Sequence, residues 1–391
     1  MPDIKIAFAT IGDVRDVRRG SGTPYYLWQE LKRQGCIVHL IGPLNIDTPL
    51  STRFFKYVSA KSGKRYISYR DPFVGKVIAR KVDQALTELD YEILLTNDYC
   101  IAGYTQSKKP VVLYTDSFFP HNYAENIHPW LANLSALGKY FCQKTTVQGL
   151  KHANLCVFAS QYAAEEAEKY KVSKNKDIFV IPYGANIECL GIASTRTVDL
   201  ILQKKRIDLL FVGKDWKGKG GDIAVKTARI LNERGVAACL HVVGVDLSGS
   251  IRDSFVKFYG LLNKDSSSDR KQFEKLFSTC DVLIVPSKAE GYGLAFVEAA
   301  AYGMPSLAYR STGVITAIQD GRSGILINLS EDETAFANQI EMWFKQPEVY
   351  ENLSKGARQH YEHEANWTTA ISRLLAEIRI YAGTKHNARP K

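Results

Sequence analysis

Two glutamates, Glu290 and Glu298, flank Gly291-Tyr-Gly-Leu294 and follow the apolar run Val282 to Val285 and the pair Pro286-Ser287. The run reads as a strand leaving a sheet. The loop after it holds Glu290, Gly291 and Gly293, and a helix carrying Glu298 comes next. In an open parallel sheet, the carboxyl mouth of a strand is where ligands bind. Bare amides at Gly293, Leu294 and Ala295, with Gly291 and Gly293 allowing close backbone approach, suit a phosphate. Glu298, about one or two turns into the helix, can accept hydrogen bonds from neighbouring hydroxyls such as those of a ribose. Glu290 sits nearer whatever the phosphate carries. Together these requirements describe a sugar nucleotide.

Cations lie upstream of the acids. Phe211-Val212-Gly213-Lys214-Asp-Trp-Lys-Gly-Lys219-Gly220 leaves a strand and enters a helix from Asp222, which brings Lys214 and Lys219 near that helix start. A diphosphate leaving group needs such neutralisation. Lys217 is a third candidate, and the ordinary alternative for all three is a solvated lysine turn. No D-x-D occurs in the chain, so a carboxylate-held metal bridging phosphates is not expected. Nearer the amino terminus, the strand Lys5 to Ala9 leads through Ile11 to Thr23, ending in Gly20-Ser21-Gly22-Thr23. Pro24 then opens a helix through Arg33. Gly20 and Gly22 can let an anion approach the backbone, or simply make a tight turn, and their spacing is not that of a dinucleotide fingerprint. Asp116, after the run Val111 to Tyr114, overhangs the same kind of mouth unless it only caps a helix.

Glu290 and Glu298 with Gly291-Tyr-Gly-Leu294 between them, then Glu298-Ala-Ala-Ala-Tyr-Gly-Met-Pro305 and the segment Gly313 to Gly324, resemble the E-x7-E signature of the family 4 retaining glycosyltransferases. The resemblance implies a GT-B fold, with two doubly wound domains facing across a cleft. It also implies transfer of a hexose-type sugar from a nucleoside diphosphate to an acceptor hydroxyl, by same-face attack without a protein nucleophile. Glu290 would orient the donor sugar and Glu298 the ribose, while Lys214, Lys219 and the amides at Gly293 to Ala295 stabilise the leaving diphosphate. The family usually has arginine where Lys214 stands, so a bidentate fork becomes a point charge. Many members carry histidine near Asp116, which leaves Asp116 and His121 as alternative donor-sugar contacts. The resemblance sets the Gly20–Gly22 loop opposite the Glu290 loop. A GT-B epimerase, a phosphorylase or a catalytically silent sugar or membrane-surface binding protein are the other readings.

Alternating apolar runs and amphipathic segments support an α/β architecture. Lys5 to Ala9, Cys36 to Ile41, Ile93 to Thr96, Val111 to Tyr114, Leu155 to Ala159 and Phe179 to Ile181 read as strands of one unit. Asp208 to Val212, Ala238 to Val243, Val282 to Val285, Ser306 to Ala308 and Gly324 to Ile327 read as strands of a second. The polar stretch Thr195 to Arg206 is a candidate boundary, giving domains 1–190 and 191–368. The resemblance implies that the terminal helix, 369–391, packs back on the first domain.

At 391 residues and 45% hydrophobic content the chain suits two ordinary cores. Its amino terminus lacks a signal-peptide pattern and no run is apolar enough to span a bilayer, so the expectation is a cytoplasmic protein without a cofactor. Seven cysteines without a C-x-x-C pair read as reduced core thiols. Net charge is +10, and Ser51 to Val82 holds nine Lys or Arg against Asp71, interleaved with Phe54, Phe55, Tyr57, Tyr66, Tyr69 and Phe73. This composition fits a solvated basic face, contact with the inner face of a membrane, or an anionic acceptor. With no nucleic-acid motif present, the expected partners are a nucleotide-sugar donor and a glycan or lipid-linked acceptor.

Overall fold

A computed structural model describes residues 4–116, 118–120, 131–170, 178–188 and 205–387. The chain divides into two compact units, one comprising Met1–Ile181 with Ala370–Lys391 and the other Pro182–Thr369. The expected boundary at 190 and most of the stretch Thr195 to Arg206 lie outside the described residues, as does His121. The observed division falls at 181/182 and at 369/370.

The first unit is built on a parallel sheet of β1 (Lys5–Ala9), β2 (Ile37–Ile41), β3 (Ile93–Thr96), β4 (Val111–Thr115), β5 (Leu155–Phe158) and β6 (Ile178–Val180), in the order β2-β1-β3-β4-β5-β6. The central strands β3, β4 and β5 are buried along their whole length. A sheet covered by helices on both faces requires such continuous apolar runs. The chain moves from β1 outward to β2 and then returns to the other side of β1 for β3, so the strand order reverses between β1 and β3.

The second unit repeats the plan with β7 (Ile207–Val212), β8 (Ala238–Val243), β9 (Val256–Phe258), β10 (Val282–Ile284), β11 (Ser306–Tyr309) and β12 (Gly324–Ile327), in the order β12-β11-β10-β7-β8-β9. Here the order reverses between β7 and β10. One face of this sheet, carrying Leu209, Phe211, Leu240, Val242, Val282 and Ile284, packs into a core with Ala224, Leu231, Phe336, Ile340, Trp343 and Leu353. The helices Gly221–Glu233, Glu333–Lys345 and Pro347–His363 supply those partners.

Sequence patterning located eleven of these strands to within a residue or so. It missed β9, whose three residues Val-Lys-Phe form a partly exposed edge too short to show a period. The terminal helix spans Trp367–Asn387, starting two residues before the expected 369. All six described free cysteines are buried. Among the described residues, no helix is long and apolar enough to cross a membrane.

Candidate functional site

The strand-order reversal in the second unit puts the loops after β7 and β10 side by side, and these are the loops carrying the candidate lysines and glutamates. Lys219 ends the first loop. Gly220 follows with φ +75 as the N-cap of the helix Gly221–Glu233, and a Cβ there would lie 2.3 Å from the Pro286 carbonyl oxygen. Only glycine lets the β7 loop press this closely on the exit of β10. From that position Lys219 Nζ donates to both carboxylate oxygens of Glu290, at 2.5 and 2.6 Å. The Ser287 hydroxyl adds a third bond to Glu290 Oε1 at 2.7 Å.

The Glu290 backbone is clamped to the loop after β11. Its amide donates to the Thr312 hydroxyl at 2.7 Å, that hydroxyl donates back to the Glu290 carbonyl at 2.8 Å, and the Gly313 amide reaches the same carbonyl at 3.0 Å. Ser311 Oγ donates to the Ser287 carbonyl at 3.0 Å. The carboxylate is therefore held by bonds at its head and at its backbone.

The helix Leu294–Ala301 starts beside it. Its N-cap is Gly293, at φ +99, with no side-chain cap bond, and a Cβ there would meet the Phe296 ring at 2.6 Å. The Phe296 amide turns back to the Gly293 carbonyl, while those of Leu294 and Ala295 precede the first intrahelical donors. Gly291, Gly293, Leu294 and Ala295 are all partly exposed, so an anion can reach this positive helix end.

Glu298 lies one turn further, on the buried side, and is only 4% exposed. Lys264 Nζ donates to its Oε1 at 2.7 Å and to the Asn186 carbonyl at 2.9 Å, while standing 4.5 Å from the centroid of the Phe273 ring. Burial pushes the Glu298 carboxyl above its ordinary value, and the Lys264 ammonium opposes that shift. Asn186 is fixed in turn by Trp367 Nε1 at 2.8 Å, and Tyr292 Oη donates to the Tyr183 carbonyl at 3.1 Å.

The two glutamates are thus each matched with a lysine in the same unit. Lys214, one residue beyond the Gly213 that closes β7, is exposed, and Lys217 is exposed on the same loop. Lys219 is the loop lysine that the structure joins to Glu290. Lys264 was missed because it lies in the loop after β9, the strand too short to read; a polar turn before the N-cap Ser266 was the only signal. Ser287 and Thr312 were missed as well, since nothing in the spacing of a serine and a threonine announces a clamp.

In the first unit, Gly20, Ser21 and Gly22 have φ of 52, 56 and 90 and lead directly into the helix Thr23–Arg33. They follow β1, at the reversal of that sheet. The surrounding Arg18 is held by Asp16 at 2.7 and 3.0 Å. Asp116 stands half-buried just past β4.

Metal-ligand chemistry clusters in one place among the described residues, where Asp208, Cys239 and His241 bring their ligand atoms within 4.8 Å. They occupy one face of β7 and β8 near the amino end of the sheet. His241 Nε2 is 3.1 Å from Asp208 Oδ1 and its Nδ1 is 2.8 Å from the Tyr259 hydroxyl, while Arg206 lies 2.9 Å from the same aspartate oxygen. Arginine already neutralises the carboxylate, so the group forms an internal ionic network. Burial alone lowers the imidazolium, but hydrogen bonds to Asp208 and Cys239 outweigh it and carry His241 up to about 9.

Residues 197–360 match the family model described as Glycosyl transferases group 1, and residues 23–188 match that of Glycosyltransferase Family 4. A D-inositol 3-phosphate glycosyltransferase of Nocardiopsis dassonvillei is 26% identical over 243 residues, covering 58% of this chain and 56% of that protein. One of Catenulispora acidiphila is 30% identical over 195 residues, covering 44% and 43%. The chain spans about half the length of these curated relatives. Among solved structures, the sucrose-phosphate synthase of Thermosynechococcus elongatus superposes with a TM-score of 0.69 at 18% identity, covering 97% of this chain and all of that one. Anabaena Alr3699/HepE in complex with UDP-glucose gives 0.62 at 14% identity, covering 96% and 99%. At these identities the superpositions speak for the fold. The two matched stretches together cover most of the chain, which belongs to the glycosyltransferases that these group 1 and family 4 models describe, and its fold of two parallel six-stranded sheets is the one that superposes on these solved structures.

Proposed function

We propose that this chain is a retaining, metal-independent hexosyltransferase that moves a sugar from a nucleoside diphosphate to a hydroxyl of a glycan or lipid-linked acceptor. The observation that carries the reading is the pair of lysine–glutamate contacts flanking an uncapped helix start at the switch point of the second sheet. The partly exposed amides at Leu294 and Ala295, with Lys219 beside them, supply fixed positive charge where a diphosphate leaves. Glu290, gripped by Lys219 and Ser287, orients the sugar, and Glu298 accepts from the ribose hydroxyls while sharing Lys264. Lys214, exposed on the same loop, is the second cation. No cofactor is required by this scheme: departure of the diphosphate drives cleavage, and the acceptor attacks from the same face. The reading makes the enzyme cytoplasmic. It draws support from relatives named as glycosyltransferases and from a neighbour of the same fold crystallised with UDP-glucose.

A thermal-shift panel of uridine, guanosine and adenosine diphosphates and their sugars tests it. A cognate ligand at 100 times its dissociation constant adds about 2.7 kcal/mol. The anomeric configuration of the product, followed by proton NMR, then decides retention. No stabilisation by any member, or an inverted product, would overturn the reading.

A further inference from the structure

The helix Leu50–Lys61 in the first unit is amphipathic in the wrong sense for packing. Its fully buried residues are Thr52 and Ser59, held by hydrogen bonds of their hydroxyls to Asp71 at 2.7 Å and to Ser135 at 2.9 Å. One apolar ring, that of half-buried Phe55, turns inward to meet Tyr66, Phe73 and Phe141 at centroid distances between 5.8 and 6.4 Å. The outer stripe is apolar: Leu50 is 80% exposed, Phe54 62%, Tyr57 59% and Val58 47%. These fall at helical spacings of four, seven and eight from Leu50, one continuous face about 12 Å long. An ordinary surface helix points such a stripe at its core.

Charge accompanies it. Between Asp47 and Asp71 the chain has no acidic residue, and Arg53, Lys56, Lys61, Lys64 and Arg65 are all exposed. Lys61 Nζ stands 5.4 Å from the Tyr57 ring centroid, keeping its charge at the edge of the stripe. Arg70, expected in this patch from sequence, is instead buried beneath the Tyr99 ring at 4.6 Å and takes no part.

We propose that this helix docks the protein on an anionic lipid bilayer, lying in the plane of the interface with Leu50, Phe54, Tyr57 and Val58 among the acyl chains and the flanking cations at the headgroups. A bilayer meets both demands of the surface, an apolar layer beneath a sheet of negative charge. Nucleic acid meets one. Half of the stripe, aliphatic Leu50 and Val58, offers a base no stacking plane. The proposal goes beyond the donor site and is tested without it.

The full chain is sedimented at low salt with vesicles of phosphatidylglycerol and phosphatidylcholine, and with phosphatidylcholine alone. Binding to the anionic vesicles only is expected, falling as salt rises. The variant Lys61→Gln, Lys64→Gln, Arg65→Gln should lower partitioning at least about tenfold. Phe54→Ser with Val58→Ser should lower it similarly and remove the salt-resistant remainder. Because all five side chains are exposed, both variants should keep the wild-type melting temperature and nucleoside diphosphate affinity. Failure of the wild type to sediment, or sedimentation of both variants like the wild type, would overturn the proposal. So would binding of a single-stranded oligonucleotide, in place of vesicles, that the Phe54 and Val58 changes leave untouched.

Discussion

Replacing Lys219 with methionine separates what the Lys219–Glu290 pair does for the fold from what it does for catalysis. The methionine keeps most of the aliphatic stem and removes the ammonium. The Glu290 side chain is 9% exposed and receives both short bonds from Nζ, so the variant leaves a nearly buried carboxylate with the Ser287 hydroxyl as its remaining side-chain partner. Breaking a fully buried pair from one side costs roughly 3–5 kcal/mol. Lys219 is 32% exposed, and solvent reaching that end screens the pair, which brings the expected loss down to about 2 kcal/mol. Urea unfolding of Lys219→Met, Glu290→Gln and the double variant reads this directly. The double variant should recover most of the stability, because the stranded charge is gone. Turnover should behave differently: if Lys219 stabilises charge on the departing diphosphate, Lys219→Met loses at least about tenfold, or roughly 1.4 kcal/mol of barrier, and Glu290→Gln does not restore it. An unchanged urea midpoint in the single variant would contradict the geometry. Recovery of turnover in the double variant would reduce Lys219 to a structural counter-ion of Glu290.

Glu298→Gln should weaken nucleoside diphosphate binding by about 1–3 kcal/mol, measured by calorimetry, while Glu290→Gln mainly lowers turnover; equal and negligible effects would remove both from the donor site. Excess EDTA should leave transferase activity intact, and a complete loss restored by magnesium or manganese would show that lysines and helix amides do not suffice. The pH dependence of stability should carry the mark of His241, whose folded-state value of about 9 lies above the ordinary 6.5. A raised histidine contributes its stability in full below the unfolded value and loses it as pH climbs through the folded one. The unfolding free energy read from urea titrations should therefore fall between pH 6.5 and 9, by about 2 kcal/mol after allowance for partial solvation. His241→Gln should flatten that slope, and an unaltered slope would refute the assignment.

The candidate-site elements of the second unit were legible because β7 and β10 are short, apolar and soon followed by Gly213 and Pro286. The acids Glu290 and Glu298 could be set at the mouth of β10 from the order of residues alone. Residue order likewise announced a helix from about Asp222, a helix start by Gly293 and a glycine loop or tight turn at Gly20 to Gly22. Such features depend on backbone torsions and local period, which neighbouring residues determine. What pairs with what did not follow. Lys219 meets Glu290 only because β7 and β10, 70 residues apart in sequence order, are adjacent across a switch point. Lys264 reaches Glu298 from a loop whose strand is three residues of sheet edge. Arg70 and its exposed neighbours look alike as letters, yet one lies under an aromatic ring and the others face water. The helix Leu50–Lys61 shows the same limit from the opposite side. Its basic and aromatic composition was visible, but which stripe faces inward was decided by hydroxyl bonds to Asp71 and Ser135, 19 and 76 positions away. Local period tells a chain where to turn; long-range contacts between strands and loops decide which side chains share a site.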